Sequence, residues 1–562
     1  MKSVAVLGGG VGGLSAAHEL AERGLKVTVY EMRDAFGGKA RSMPVPGSGT
    51  GGRKDLPGEH GFRFFPSFYK HIIDTMGRIP YGQGTVAGNL IETTKILLAQ
   101  GGDRNELPAP TVPPSSVNDV VAALKFMREF VFGLGIPISE FLDYTKGLLT
   151  LLVSCDGRRY GEWEEMSWWD FMDAGHRTEA FNKFLGDGIT RCLVAARGRE
   201  MSARTGGMIS LRLMLNSGAP VDRVLKGPTS EVWIDPWVEH LRGLGVELRG
   251  GHTVGGIHCD GREITGVTVT GPHGDELITA DYYIAAMPKE KLELLISPQM
   301  CAADPHLAAL GRLQTRWMNG AMFYLDTDVP LEHGHIIFID SEWSLTAISQ
   351  AQFWKRVVDL KQRGDGRVEG ILSVDVSEWR TPGSTGKVAS ACTKDEICDE
   401  VLKQMQDHIK DRKLDKANVV TCFLDPAISF PNPSQAANAE PLLINTPGSW
   451  ADRPEAWTAI PNFFIAADFV RTDTDLATME AANEAARLAV NAILKATGSK
   501  EGCELWKFPE PCLLAPFRLM DRLLWRLGRK PPKLPVRMTS TGEVEPTGPV
   551  ARTVLAVTRR LR

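Results

Sequence analysis

At 562 residues, with 43% hydrophobic and 23% charged side chains, the chain is too long for a single core and divides into two or three domains. A formal net charge of −4 gives no electrostatic basis for a nucleic-acid partner. The sequence contains no run of 18 uninterrupted apolar residues, which excludes a membrane-spanning helix from expectation.

Residues 1–31 carry the first motif. Val4 to Leu7 is a short apolar run, followed by a glycine turn, an Ala/Leu-rich helix that Gly24 stops, and a second apolar run ending at Glu31. The opening run leads into glycines rather than a cleavage-type site and is read as a strand, not a signal peptide. Gly8, Gly10 and Gly13 form G-x-G-x-x-G at the strand-to-helix junction, with Gly12 inside it. Gly8 permits the tight turn, Gly10 lets a pyrophosphate approach the helix amino end, and Gly13 lets the helix pack on the sheet. Glu31 stands where a carboxylate accepts from adenosine ribose hydroxyls. The whole β-α-β unit predicts dinucleotide binding. Phe36-Gly37-Gly38-Lys39-Ala40-Arg41-Ser42 follows at once, and a second glycine pair with two cations, Lys39 and Arg41, fits the extended FAD better than NAD. Its alternative is a basic surface turn.

Residues 59–71, EHGFRFFPSFYKH, place an arginine among aromatic rings. By position Gly61 and Phe62 pass close to the flavin, Arg63 favours negative charge on the reduced ring, and Phe65 with its neighbours walls a dry channel. Arg63, His60 and Phe65 are therefore the candidate catalytic residues; the alternative is that the phenylalanines are core and Arg63 pairs with a buried acid. Residues 86–215 read mainly helical, with VVAALKFMREFVF and GLLTLLVS as apolar stretches and the Pro-rich 107–114 as a surface connection. Trp163, Trp168 and Trp169 read as helix packing. The span VELRGG to YYIAAMP (246–288) reads as successive strands with turns at Asp260-Gly261 and His273-Gly274-Asp275, and Val254 is placed for backbone contact with adenine. Strands near 317–325 and 335–348 and a helix near 394–412 follow. His333 and His335 lack a third ligand at metal spacing and read as strand-end histidines; no metal is expected.

Residues 463–495 return to the opening theme: a buried strand (Phe463 to Ala467), Asp468 poised for a ribityl hydroxyl, and a long alanine-rich helix. That helix starts near Thr478 and Met479, and its amide end faces the flavin N1–C2=O region. The nine cysteines are scattered, and none forms C-x-x-C. They read as free thiols of a reducing, cytoplasmic compartment, with Cys392 and Cys398 the closest pair along the helical half. In the tail, Phe517, Met520, Leu524 and Leu527 share one helical face and Arg518, Arg522 and Arg526 another, with seven cations against one acid from Leu513 to Arg537. Such a helix either lies on a membrane surface or docks on the protein itself. Beyond Thr539 fraying is expected.

Together these segments resemble the FAD-dependent amine oxidase and phytoene desaturase superfamily. Within it, EHGFRFFPSFYKH is similar to a stretch of the plant and cyanobacterial carotene desaturases, and residues 310–355 look like bacterial hydroxysqualene-dehydroxylase-like proteins. Arg63 stands where those desaturases carry histidine, and Ala466-Ala467-Asp468 replaces Ala-Gly-Asp. The expected fold is α/β. It comprises a discontinuous Rossmann-like FAD-binding domain (1–85, 216–295, 441–500), an inserted α+β substrate domain (86–215, 296–440) and a basic amphipathic tail (501–562).

The expected function is hydride abstraction from a C–H bond of a hydrophobic, isoprenoid-like substrate. An amine oxidase using Trp450 and Trp457 to flank the flavin, and a redox-silent FAD-containing isomerase or binding protein, are the alternatives. A hydrolase nucleophile pattern such as G-x-S-x-G is absent, and so is a second dinucleotide fingerprint. Oxygen or a quinone is therefore the expected acceptor, and peripheral membrane contact runs through 505–537.

Overall fold

A computed structural model describes residues 2–102, 106–110, 133–214, 222–409, 414–432, 435–532, 536–538 and 544–546. The VVAALKFMREFVF segment, and the tail beyond Thr539 apart from Val544–Pro546, lie outside them.

Five parallel strands build the first sheet: β1 (Ser3–Leu7), β2 (Lys26–Tyr30), β3 (Glu247–Arg249), β4 (Tyr282–Ala285) and β5 (Phe463–Ile465), in the spatial order β3-β2-β1-β4-β5. β1 is buried along nearly its whole length, which is why it reads as a continuous apolar run rather than an alternating one. Helix α1 (Val11–Glu22) and helix α2 (Met479–Ala496) pack against each other over this sheet. The order reverses between β1 and β4, so the crevice at the carboxyl ends of these two strands is the topological switch point where such sheets bind ligands. The glycine loop opens there.

A three-stranded antiparallel meander, Thr253–Cys259, Ile264–Gly271 and Gly274–Ile278, leads from β3 back to β4. The apolar side chains of the first sheet form one cluster with Trp233, Trp237, Met300, Leu307 and Leu310.

A second sheet of seven strands runs in the order Val419–Leu424, Asn319–Leu325, Gly370–Val376, Leu345–Ser349, His335–Phe338, Lys95–Ala99 and Leu107–Pro110. Its last two members fall in the stretch expected to be mainly helical. Lys95–Ala99 pairs parallel with His335–Phe338, so a short apolar run that suits either structure is captured as strand by a partner more than two hundred residues away. One face of this sheet (Ala321, Phe323, Leu372, Val374, Leu345, Ala347) is covered by the helix Lys394–His408, whose apolar side chains share its cluster. The opposite face (Met322, Tyr324, Ile348, Ile371) receives Phe62 and Leu56 from the segment before residue 65.

Cys398 and Cys422 form a disulfide between that helix and the edge strand, which corrects the expectation that every thiol is free; the other described cysteines are unpaired. The partner was hidden because it lies 24 residues away, whereas Cys392 merely neighbours Cys398 along the chain. No helix among the described residues is long and apolar enough to cross a membrane.

Candidate functional site

The glycine loop has the backbone a pyrophosphate needs. Gly8 adopts φ +119°, open to glycine alone, and its N–H donates to the Tyr30 carbonyl at 2.8 Å. A Cβ at Gly13 would overlap the Gly8 carbonyl oxygen, and one at Gly12 would overlap the Ala466 carbonyl oxygen at the end of β5. Gly10 is different: a Cβ there would meet only Gly38 Cα, at 3.8 Å. Its missing side chain thus serves space beyond the protein rather than packing within it. Helix α1 has neither a side-chain cap nor an acidic residue in its first turn, so its amide end remains suited to an anion.

The second glycine pair closes over the first. Gly37 donates to the Gly9 carbonyl at 2.8 Å, and Gly37 and Gly38 both hold positive φ. Glu31 accepts from the Gly9 N–H at 2.8 Å and the Arg33 N–H at 3.1 Å at the end of β2. Lys39 donates to the Pro441 carbonyl at 2.5 Å, and Arg41 to the Gly38 carbonyl at 2.6 Å. Burial raises the Asp468 carboxyl against the pull of Lys39 and Arg453, which face it. Thr478 caps α2 by accepting from the Ala481 N–H at 3.2 Å, with Met479 the first helical residue. Val254 lies in the meander, paired with Val269 next to a register shift. Two glycine turns, a strand-end acid, a loop lysine and an open helix terminus suit one long dinucleotide.

Residues 59–71 are pinned at both ends. Glu59 accepts from Thr229 N–H (2.8 Å), Thr229 Oγ1 (2.7 Å) and Ser42 Oγ (3.0 Å). At the other end the Glu480 carboxylate accepts from the N–H groups of Lys70, His71 and Ile72 at 2.7, 2.8 and 3.0 Å, and from the His71 ring at 2.7 Å. It thereby caps the helix His71–Arg78 from the second residue of α2.

Between these anchors the aromatic rings separate. Phe62 and Phe64, two apart and so on one side of an extended chain, meet the His335 ring edge-on at 4.6 and 4.7 Å. Phe65 points the other way; expected beside the reacting centre, it is instead completely buried in the first sheet's core against Trp233 and Tyr69. Phe68 packs against an apolar cluster of Ala196, Met201, Ile209, Ile444 and Leu476.

Arg63 donates to the carbonyls of Lys39, Ala40 and Phe62, which ties it to the second glycine turn. His60 lies with Nδ1 2.5 Å from Asp425 Oδ2 and 3.6 Å from Glu440 Oε2. Asp425 also accepts from Asn319 Nδ2 at 2.6 Å. Burial would raise the Asp425 carboxyl, but His60 and these donors hold it below its ordinary value. His60 is thus held against Asp425.

Three residues of this region, Asp425, His335 and Asp375, carried no local signal in the sequence. His335, taken for an ordinary strand-end histidine, is buried and bonds through Nδ1 to Asp222 Oδ2 at 2.9 Å. Asp375, on the wholly buried strand Gly370–Val376, packs so closely on Gly61 that a Cβ on that glycine would overlap its Oδ1. Only strand pairing brings these side chains together.

Trp450 and Trp457 do not form a pair. Trp450 packs at a tilt against Tyr160, centroids 4.7 Å apart, with Arg204, Arg453 and Arg471 around it, while Trp457 is 48% exposed. His18, Glu22 and His240 converge on one point. However, Trp237 Nε1 donates to His18 Nδ1 at 3.2 Å, which leaves the proton on Nε2, 3.1 Å from Glu22. That tautomer is the wrong one for a cation.

The tail docks on the protein. Trp506 N–H donates to His71 Nε2 at 3.0 Å and Phe508 N–H to Asp473 Oδ2 at 2.8 Å. Helix α3 (Ala515–Arg526) then buries Asp521, the lone acid of the stretch, which accepts from Cys155 N–H at 2.8 Å and Arg158 Nε at 2.9 Å. The buried face runs through Phe517 and Asp521, so the predicted apolar face is rotated: Met520 and Leu527 lie outside with Leu519 and Leu523, between the exposed Arg522 and Arg526.

Residues 11–494 match the family described as flavin containing amine oxidoreductase. The chain is 23% identical over 514 residues to a zeta-carotene desaturase of Synechocystis sp., covering 87% of this chain and 97% of that protein. It is 24% identical over 512 residues to a 15-cis-phytoene desaturase of Synechococcus elongatus, covering 87% and 95%. In structure it resembles the cyclohexylamine oxidase from Brevibacterium oxydans, with a TM-score of 0.58 at 14% identity over 88% of this chain and 99% of that one.

Proposed function

The chain belongs to the flavin-containing amine oxidoreductase family, an FAD-dependent oxidoreductase, and we propose that it desaturates a hydrophobic isoprenoid of the carotenoid type. The observation that carries this choice is the full-length likeness to two carotene desaturases, each covered over 95% or more of its length. The aromatic pair that an amine oxidase would need is not assembled: three guanidinium groups surround Trp450, a poor reception for a cationic amine.

When bound, FAD supplies a two-electron acceptor. On this proposal the amides of Gly8 to Gly13 hold its pyrophosphate, Glu31 its ribose, Gly37, Gly38, Lys39, Arg41 and Asp468 its central chain, and the Val254 backbone its adenine. Thr478 and Met479 present the amide end of α2 to the flavin carbonyl, and Gly61 and Phe62 pass beside the ring. Arg63, fixed by three carbonyls, places a cation where negative charge accumulates. Phe68 with Met201, Ile209 and Leu476 forms a wall that excludes water from a C–H bond of the substrate. The acceptor that reoxidises the enzyme is oxygen or a quinone.

An isoprenoid dissolves in a bilayer, and α3 is equipped to meet one. Leu519, Met520, Leu523 and Leu527 are 59, 42, 57 and 69% exposed, with Arg522 and Arg526 beside them. Each surface cation contributes about 1 kcal/mol toward anionic lipid before salt screening.

The test is anaerobic bleaching of the yellow holoenzyme by 15-cis-phytoene and ζ-carotene in anionic liposomes, against a panel containing cyclohexylamine and putrescine. Bleaching by an isoprenoid is expected; bleaching by an amine alone would overturn the choice. Because the strap before α3 packs on His71 and Asp473, deleting the tail would disturb the body of the protein. The sharper membrane test is Leu519→Asp with Leu523→Asp, expected to abolish liposome co-sedimentation at low salt with FAD still bound.

A further inference from the structure

One cation faces two buried acids in this site. Arg63 is the leading charge acting on both Glu59 and Asp375. The neighbouring basic groups are already engaged: His335 by Asp222 at 2.9 Å and His60 by Asp425 at 2.5 Å. A single guanidinium cannot fully neutralise two carboxylates in a desolvated space, so one of them ionises only with difficulty and regains a proton readily.

The hydrogen bonds decide which. Burial raises the Glu59 carboxyl as well, but Glu59 receives three donors, two from Thr229 and one from Ser42, all of which favour its ionised form. Asp375 receives the Phe62 N–H, while its Oδ1 is buried against Gly61 with no hydrogen-bond partner. A carboxylate oxygen left bare in this way is the natural seat of a proton. The groups facing Asp375 are Arg63 and His335, which draw its proton away, and Asp425, which holds it. Burial outweighs them and pushes the carboxyl up to about 7.

We propose that Asp375 is a proton-storing positioning residue, taking up one proton from solvent whenever two electrons enter FAD beside Arg63 and releasing it when they leave. This rests on FAD lying beside Arg63 and deepens the function proposed above. The account balances without a further reactant. Two electrons entering with one proton would leave one added negative charge next to the guanidinium, Arg63 would then support the Asp375 anion less well, and the O–H bond formed on Asp375 with a second proton from solvent would cancel that charge. Reoxidation by the acceptor reverses it. Gly61 follows from the same arrangement, since any side chain there would displace the Asp375 carboxyl.

The holoenzyme is titrated with dithionite and an equilibrating dye between pH about 5.5 and about 9, and the midpoint potential is read as proton uptake per electron pair. Wild type should take up two protons through neutrality and just above it. Asp375→Asn should take up one, and Glu59→Gln, which frees Arg63 for Asp375, should move the break to lower pH. Asp375→Ser supplies a second neutral variant should Asn lower FAD occupancy. A purely structural Asp375 would change occupancy but leave the proton count of the bound fraction untouched, and equal uptake in wild type and a neutral variant overturns the proposal. The reductant is chemical, so failure of every isoprenoid to bleach the flavin would not alter this result.

Discussion

Replacing Asp375 by asparagine should make the protein more stable at alkaline pH, which is unusual for removal of a buried polar group. Its carboxyl rises from an ordinary value of 3.8 to about 7. The native state therefore binds one proton more than the unfolded chain between these values, and stability falls as pH rises through the window. At about 1.4 kcal/mol per pH decade the loss is about 4 kcal/mol once the group is ionised in both states. Asparagine keeps the volume and a hydrogen-bonding group but cannot ionise. The variant should match wild type near pH 4 to within about 1 kcal/mol and exceed it by about 2–4 kcal/mol above pH 8. The assay is urea unfolding of both proteins at one saturating FAD concentration, so that ligand stabilisation largely cancels in the difference. A difference that stays flat with pH would show that Asp375 is already ionised throughout, and the charge argument around Arg63 would fail with it.

Gly10→Val and Gly13→Ala should fail differently. The first has room within the protein and should give a folded, colourless chain, whereas the second strikes the Gly8 carbonyl and should lose soluble protein, read by circular dichroism beside FAD content. Arg63→Ala should retain FAD yet slow anaerobic flavin reduction by roughly two to three orders of magnitude, measured by stopped flow; normal reduction would return Arg63 to a structural role. Replacing Cys398 and Cys422 together by alanine opens a 24-residue separation and should cost about 3 kcal/mol against the oxidised protein, with reductant affecting the wild-type unfolding midpoint alone.

How much of this was legible in the sequence depends on how local each signal is. The glycine loop, Glu31 and the second glycine turn lie within 42 residues, and each has a steric reason that survives in isolation. Asp375, Asp425 and His335 carry no such mark; they matter because the second sheet pairs strands from 319–325, 335–338, 370–376 and 419–424. Phe65 was misplaced for a smaller reason, since a run of rings does not reveal which face each one takes. In the tail, periodicity identified a helix but weighed only apolar and basic residues. Asp521, a single acid among cations, sets which face turns inward because Arg158 and the Cys155 amide are waiting for it.

The order of the first sheet also constrains how the protein is made. β1 must pair with β4, 278 positions later, and β4 with β5 another 180 positions on. At about 5–20 residues per second of synthesis, the amino-terminal strand waits roughly a quarter of a minute to a minute for β4, and then about two-thirds as long again for β5. Until β4 is made β1, paired only with β2, keeps an apolar edge open on the side that β4 will occupy. Pairings of such long range slow folding and expose intermediates to aggregation, so expression yield should respond to temperature and chaperone supply more steeply than equilibrium stability does. The sheet whose first strand is made first is completed only when β5 has been made.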